Sequence, residues 1–345
     1  MIPETPEPVT TPGLASSPAV PRPIALFAPA ASAAFGTAVA TALGIAPARH
    51  EEREFGGGEH KMRPLESVRG RATYVIQSLH GDARGSANDR LCRLLFFVAT
   101  LKDAGAGSVT ACIPYLAYAR KDRRTKARDP VASRYVAQLV ESVGTDRVVV
   151  LEVHNLAAFE NAFRIPTVHL EATDLLAAGC AQRGPIPLAV ASPDVGGVKR
   201  ARHFQELLER LHGEPVAFAF VDKKRSGGIV SGDTLVGDVG GRRVILVDDM
   251  IDSGTTLLRA AAACRRAGAA RVDAVATHAP LSSDALRLFG SDGPNSVLVT
   301  DSVALAPGFS AIPGSTLRIC PIAPRFAEAI RRLEGAGPLT PLGGL

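Results

Sequence analysis

Residue types and spacing first suggest chemistry in the stretch RVILVDDMIDSGTTLL, Arg243 to Leu258. Val244 to Val247 is a short, β-branched apolar run, the pattern of a strand buried on both faces. Asp248 and Asp249 stand at its carboxyl end. Asp252, Ser253, Gly254, Thr255 and Thr256 follow as a turn of mostly small residues, and Leu257 onward reads as a helix. Free backbone N–H groups and the positive end of the helix dipole then converge on one spot, which suits a phosphate. Ionised carboxylates only accept hydrogen bonds, so Asp248 and Asp249 cannot hold that phosphate. They suit a vicinal diol or the hydration shell of a divalent cation. A sugar phosphate satisfies both halves. A polar strand end followed by an ordinary capped helix accounts for the same residues without a ligand. A receiver-type acidic pocket also places an Asp pair after a buried strand, but the DSGTT turn argues against it.

Other segments gather charge after apolar runs. Arg120, Lys121, Arg123, Arg124, Lys126 and Arg128 lie in a segment with no apolar periodicity, between a strand and a helix. A mobile lid over polyphosphate fits that placement, because Arg binds phosphate in a bidentate fork; a solvated charge run is the alternative. His154 ends the run Val148 to Val153, open between a structural role and a metal or phosphate role. Asp194 is followed by Gly196 and Gly197, which allow close backbone approach at a helix start, and it also fits an N-cap. Asp222, Lys223, Lys224 and Arg225 end another run before a Ser-Gly-Gly turn. Anion binding, or an edge strand guarded by charge, explains them.

To position these residues, strands must alternate with helices. The pattern predicts strands at 24–27, 73–77, 108–113, 147–153, 188–191, 216–221, 244–247, 271–277, 296–300 and 317–322. Helices are expected at 30–43, closed by Gly44, and at 88–104, 131–142 and 197–211. This order implies an α/β fold with mainly parallel sheets flanked by helices, whose ligands gather outside the carboxyl ends of the strands. A length of 345 residues suggests two such domains, with a boundary within 166–186. Residues 1–22, rich in Pro, Thr and Ser, read as a disordered tail.

Composition narrows the class. No apolar run approaches the roughly 18 residues of a membrane span, and the first 22 residues lack a signal-peptide pattern, so a cytoplasmic protein with no membrane partner is expected. Cys92, Cys112, Cys180, Cys264 and Cys320 are scattered without metal or redox spacing. The net charge of +5 admits nucleic acid or anionic substrates, but aromatics at 5% and no Trp leave little for base stacking. Nucleic acid is therefore not expected.

With these residues in hand, the chain resembles the ribose-phosphate pyrophosphokinase (phosphoribosyl pyrophosphate synthetase) family from about residue 24 to 335, as a divergent member. DDMIDSGTT at 248–256 is similar to that family's ribose-phosphate loop, and YARKDRR at 118–124 to its catalytic flexible loop. SPDVGG at 192–197 is similar to its metal-bearing turn, DKKR at 222–225 to its catalytic lysine segment, EVH at 152–154 to its D-L-H, and FGGGE at 55–59 to its nucleotide hairpin. VTDS at 299–302 fits the later strand. Four departures stand out: Gly57 where the hairpin usually has an acid, Lys121 for a glutamine, Glu152 for an aspartate, and Thr255 for a glycine.

The resemblance implies two tandem phosphoribosyltransferase-like domains, 23–172 with the hairpin and flexible loop and 173–335 with the ribose-phosphate loop, followed by a tail at 336–345. It implies Mg²⁺-dependent transfer of pyrophosphate from ATP to the 1-hydroxyl of ribose 5-phosphate. Lys223 and Arg225 would be catalytic. Asp248, Asp249, Asp252, Ser253, Gly254, Thr255 and Thr256 would bind ribose 5-phosphate. Phe55, Gly57, Glu59, Arg120, Lys121, Asp122 and Arg123 would bind ATP, and His154 and Asp194 the metal. A homo-oligomer is expected. A non-catalytic regulatory homologue and a phosphoribosyltransferase that consumes the activated sugar are the alternatives.

Overall fold

The computed structural model describes residues 23–342 except 182, 183, 185, 227, 228, 315 and 336, so the tail expected at 1–22 lies outside the described residues. Fourteen strands are assigned among them: β1 Ile24–Phe27, β2 His50–Glu54, β3 His60–Pro64, β4 Ala72–Ile76, β5 Ser108–Ile113, β6 Arg147–Leu151, β7 Thr167–Leu170, β8 Leu188–Ser192, β9 Ala217–Ser226, β10 Ile229–Val236, β11 Arg243–Met250, β12 Arg271–His278, β13 Ser296–Thr300 and β14 Leu317–Cys320. The first sheet runs β1-β4-β5-β6-β7, parallel throughout. The second runs β10-β9-β8-β11-β12-β13-β14 and is parallel except for the edge pair β9 and β10.

In the second sheet the chain lays down β8, β9 and β10 in one direction and β11 to β14 in the other. The order therefore reverses between β8 and β11, the crevice where open α/β sheets bind ligands. The expected both-face burial of the RVIL run is met: Val244 and Leu246 enter the core on one face of the sheet, Ile245 and Val247 the core on the other.

Three hydrophobic layers result. One lies on the outer face of the first sheet under the helices Ala87–Asp103, Ala132–Ser142 and Leu156–Ala162, and another on the outer face of the second sheet under Thr255–Arg266. The central one is shared, joining Leu26, Tyr74 and Val149 of the first sheet to Val190, Ile245 and Leu298 of the second. Helices Ala33–Leu43, Thr173–Cys180, Val198–His212 and Ala323–Gly335 fill it. Local signals set the ends of these helices. Gly44, with φ 76°, closes the first, and Ser86 and Asp89 form a reciprocal capping box on Ala87–Asp103.

Two expectations need correction. The segment 222–225 does not follow the strand expected at 216–221 but belongs to it. β9 continues through Ser226 and pairs antiparallel with β10, Lys223 opposite Asp233. An antiparallel edge ladder needs only one apolar face, so a cationic stretch can join it. The strand at 147–153 stops at Leu151, because Glu152 takes a positive φ of 25°. Near the end of the described residues, Leu342 is buried in the central core and its carbonyl accepts from Glu171 N at 3.0 Å. No helix among the described residues is long and apolar enough to cross a membrane.

Candidate active site

A cleft of about 1150 Å³ opens at the carboxyl ends of β6, β8 and β11. Its lining includes Arg120, Asp122 and Arg123 from the basic segment, His154 after β6, Asp194 after β8, and Asp248, Asp249 and Asp252 through Thr256 from β11 and the turn beyond. Residues far apart in the sequence thus meet in one place, as the reading of strand ends requires.

The turn after β11 is shaped for an anion. Gly254 is the N-cap of the helix Thr255–Arg266 and supplies no side-chain acceptor, and the first-turn residues Thr255, Thr256 and Leu257 line the cleft. Its φ of 73° favours glycine, and a Cβ there would come within 2.4 Å of Leu288. Ser253 Oγ and Thr255 Oγ1, 3.1 Å apart, add hydroxyls at the same rim. Opposite, Asp194 accepts from Gly197 N at 3.1 Å, so it does cap the helical segment that follows while its residue lines the cleft.

Asp249 gathers the charge. It is 6% exposed, and its Oδ2 lies 2.6 Å from His154 Nδ1 and 3.5 Å from the Arg200 guanidinium. Its own N–H donates to Asp248 Oδ1 at 2.9 Å. Burial pushes the Asp248 carboxyl up to about 7, reinforced by the charge of Asp249 beside it. Burial also opposes ionisation of Asp249, but the His154 hydrogen bond and the Arg200 charge prevail and hold it well below the usual carboxylate range. The same hydrogen bond raises the imidazole of His154 against the effect of its burial. One aspartate is thus held as the anion, while its neighbour is pushed toward its protonated form.

Among the described residues no group of three or more His, Cys, Asp or Glu could hold a metal. His154 and Asp194 therefore do not form a closed cage.

Some expected residues are not brought to the cleft. Phe55, Gly57 and Glu59 lie at the tip of the β2–β3 hairpin and do not line it. The Glu54 carboxylate is 2.8 Å from the Arg93 guanidinium of helix Ala87–Asp103, and the Arg53 guanidinium stands 5.0 Å over the Phe55 ring. Gly57 has φ 84° and Gly58 φ 87°, which explains glycine at a position where an acid was expected. Lys121 does not line the cleft either; its backbone carbonyl accepts from Ser133. Lys223 and Arg225 are held in β9, and their side chains lie outside the described part of the structure.

Arg200 was missed by the sequence reading, which placed it within the helix expected at 197–211 and gave it no role. A signal was present. Cations are disfavoured in the first turn of a helix by its dipole, so Lys199 and Arg200 in the first turn of Val198–His212 point to anions close by. Asn155 was missed as well. It caps the helix Leu156–Ala162 and also donates to Asp122.

Comparison with known proteins gives a consistent picture. Residues 24–144 match a family model described as the N-terminal domain of ribose phosphate pyrophosphokinase, and residues 230–340 one described as the phosphoribosyl synthetase-associated domain. A ribose-phosphate pyrophosphokinase of Maricaulis maris is 40% identical over 83% of this chain and 88% of its own length. One of Hyphomonas neptunium is 38% identical over 86% and 92%. The crystal structure of phosphoribosylpyrophosphate synthetase from Mycobacterium smegmatis superposes with a TM-score of 0.82 at 33% identity, covering 92% of this chain and all of that one.

Proposed function

The chain belongs to the ribose-phosphate pyrophosphokinase family and is an enzyme of that kind; we propose that its reaction takes place in the cleft at the ends of β6, β8 and β11. The 1-hydroxyl oxygen of ribose 5-phosphate bonds to the β-phosphorus of ATP, the bond from that phosphorus to the α-phosphate oxygen breaks, and AMP leaves. Phosphoribosyl pyrophosphate is the other product. The observation that supports this assignment most is the meeting of a helix start, an Asp pair and two arginines of the basic loop around one cleft.

Ser253 to Thr256 hold the 5-phosphate through backbone N–H and hydroxyl groups. Asp248 and Asp249 hold the ribose hydroxyls: Asp249, held as the anion, accepts, and Asp248 stands beside it with its carboxyl pushed toward the protonated form. Arg120 and Arg123 close over the triphosphate, with Lys223 and Arg225 as stabilisers of charge on the transferring group. His154 and Asp194 would hold a metal brought with the triphosphate, and Mg²⁺ would supply neutralisation of charge on the phosphate oxygens. The protein's contribution is positioning and electrostatics, and no residue is assigned as general base.

We divide the chain into 23–172, carrying the hairpin and loop, and 173–335, carrying the ribose-phosphate turn. The hairpin does not line the cleft of its own chain, so its expected role in nucleotide binding requires a second copy, in keeping with a homo-oligomer. The test is to incubate the purified protein with ribose 5-phosphate, Mg²⁺ and ATP and to follow AMP. Formation of AMP dependent on both substrates is the expected result. Binding of both substrates without AMP would favour a regulatory role.

A further inference from the structure

We propose that Asn155 is a positioning residue that fixes the basic loop relative to His154; the proposal rests on the reading of Arg120 and Arg123 as contacts to the triphosphate. Asn155 Nδ2 donates to Asp122 Oδ2 at 2.7 Å, and Asn155 Oδ1 accepts from Ala158 N at 3.2 Å. One amide therefore caps the helix Leu156–Ala162 and tethers the loop. Asp122 is the sole carboxylate between residues 120 and 128, where six cations surround it. It stands between Arg120 and Arg123, and Asn155 directly follows His154. The hydrogen bond consequently links the basic loop to the segment that carries His154.

The rest of the loop divides at this point. Its foot is anchored, because Leu116 and Ala117 are buried and the Lys121 carbonyl accepts from the Ser133 N–H at 3.3 Å. Its tip is organised internally, with Asp129 accepting from Lys126 N at 2.9 Å and from Thr125 Oγ1 at 2.7 Å. Between foot and tip, the Asp122 side chain bonds to Asn155 across the cleft wall. Six like charges repel one another and would spread a free loop away from a fixed position. A tether on the one acid opposes that spreading where Arg120 and Arg123 have to act.

The chemistry of the pair permits a clean test. In Asn155→Asp the helix cap survives, since Asp and Asn cap equally well, but two carboxylates now face each other. In the exchanged double variant, Asp122→Asn with Asn155→Asp, the amide donates in the opposite direction and the net charge equals that of the wild type. Amide hydrogen exchange at Lys121 and Ser133, whose bonds sit at the foot of the loop, should quicken in Asn155→Asp and slow again in the exchanged pair. kcat/KM for ATP should fall about tenfold in Asn155→Asp, with KM for ribose 5-phosphate little changed.

Unaltered exchange in Asn155→Asp, or no recovery in the exchanged pair, overturns the tether. The loop's assignment to ATP is judged separately from Arg120→Ala. If that variant leaves KM for ATP unchanged, the assignment fails, and with it the positioning role.

Discussion

Asp249 concentrates the electrostatics of the cleft at a single carboxylate. His154 and Arg200 both reach it, and its charge pushes the titration of Asp248 upward. Replacing Asp249 by Asn should therefore lower the imidazole titration of His154 toward its ordinary value of about 6.5, as followed by its NMR resonances. The effect on stability has a definite sign. A His whose titration is raised on folding contributes stability that is complete below its unfolded value and is lost as pH rises through the folded one. Asp249, depressed, contributes above its unfolded value of about 3.9 and loses that contribution as pH falls through its folded one. The urea midpoint of the wild type should exceed that of Asp249→Asn most between about pH 4.5 and about pH 6, and the gap should narrow toward about pH 9. A gap that widens in alkali would contradict the pairing. The two aspartates were legible because an acidic pair at the end of an apolar run is a local pattern. Their partners were not. His154 precedes Asp249 by 95 positions, and no periodicity links a side chain after one sheet to a side chain in the other.

Elements were legible where their own residues dictate them. The helix closed by Gly44 and the strand at 108–113 follow from turn chemistry and apolar pattern, and both are present. The β9–β10 hairpin escaped notice because its Lys, Arg and Gly residues resemble a loop, and only backbone pairing with a neighbour makes it a strand. β7 has four residues and the helix Leu156–Ala162 seven, too short for a period to emerge. The turn into Thr255–Arg266 is the element whose local demands are strictest. Gly254 combines a positive φ with close approach to Leu288, so Gly254→Ala pays for both backbone strain and a collision. We expect a loss of about 2 kcal/mol in urea unfolding and a rise in KM for ribose 5-phosphate larger than that for ATP. Equal changes in the two KM values would mean that the turn does not serve the sugar phosphate.

At the scale of the molecule, two sheets legible as separate α/β units share a core that the sequence pattern does not announce. The helix Ala323–Gly335 follows the last strand of the second sheet, yet it packs on Ala33–Leu43 at the start of the chain, with Phe326 edge-on to Phe35 at 5.5 Å between centroids. Tyr74 of the first sheet donates to Glu334 of the same helix. Nearer the cleft, Glu152 accepts from Ala172 N, Thr173 Oγ1 and Thr277 Oγ1, while its carbonyl accepts from His278 Nε2 at 2.8 Å. The longer side chain at this position thus joins β6 to the second sheet two residues before His154. Such contacts tie the position of His154 and the basic loop to that of the turn at 252–256. Loss of packing at one end of the seam should then be felt by both sheets. Phe326, fully buried, is the probe: Phe326→Ala should cost about 4 kcal/mol from lost burial and cavity formation. If the shared core makes the two sheets one cooperative unit, probes placed on the first and second sheets should shift together to a lower urea midpoint. A variant in which only the second sheet loosens, while the first unfolds at the wild-type midpoint, would show that the sheets are stabilised independently.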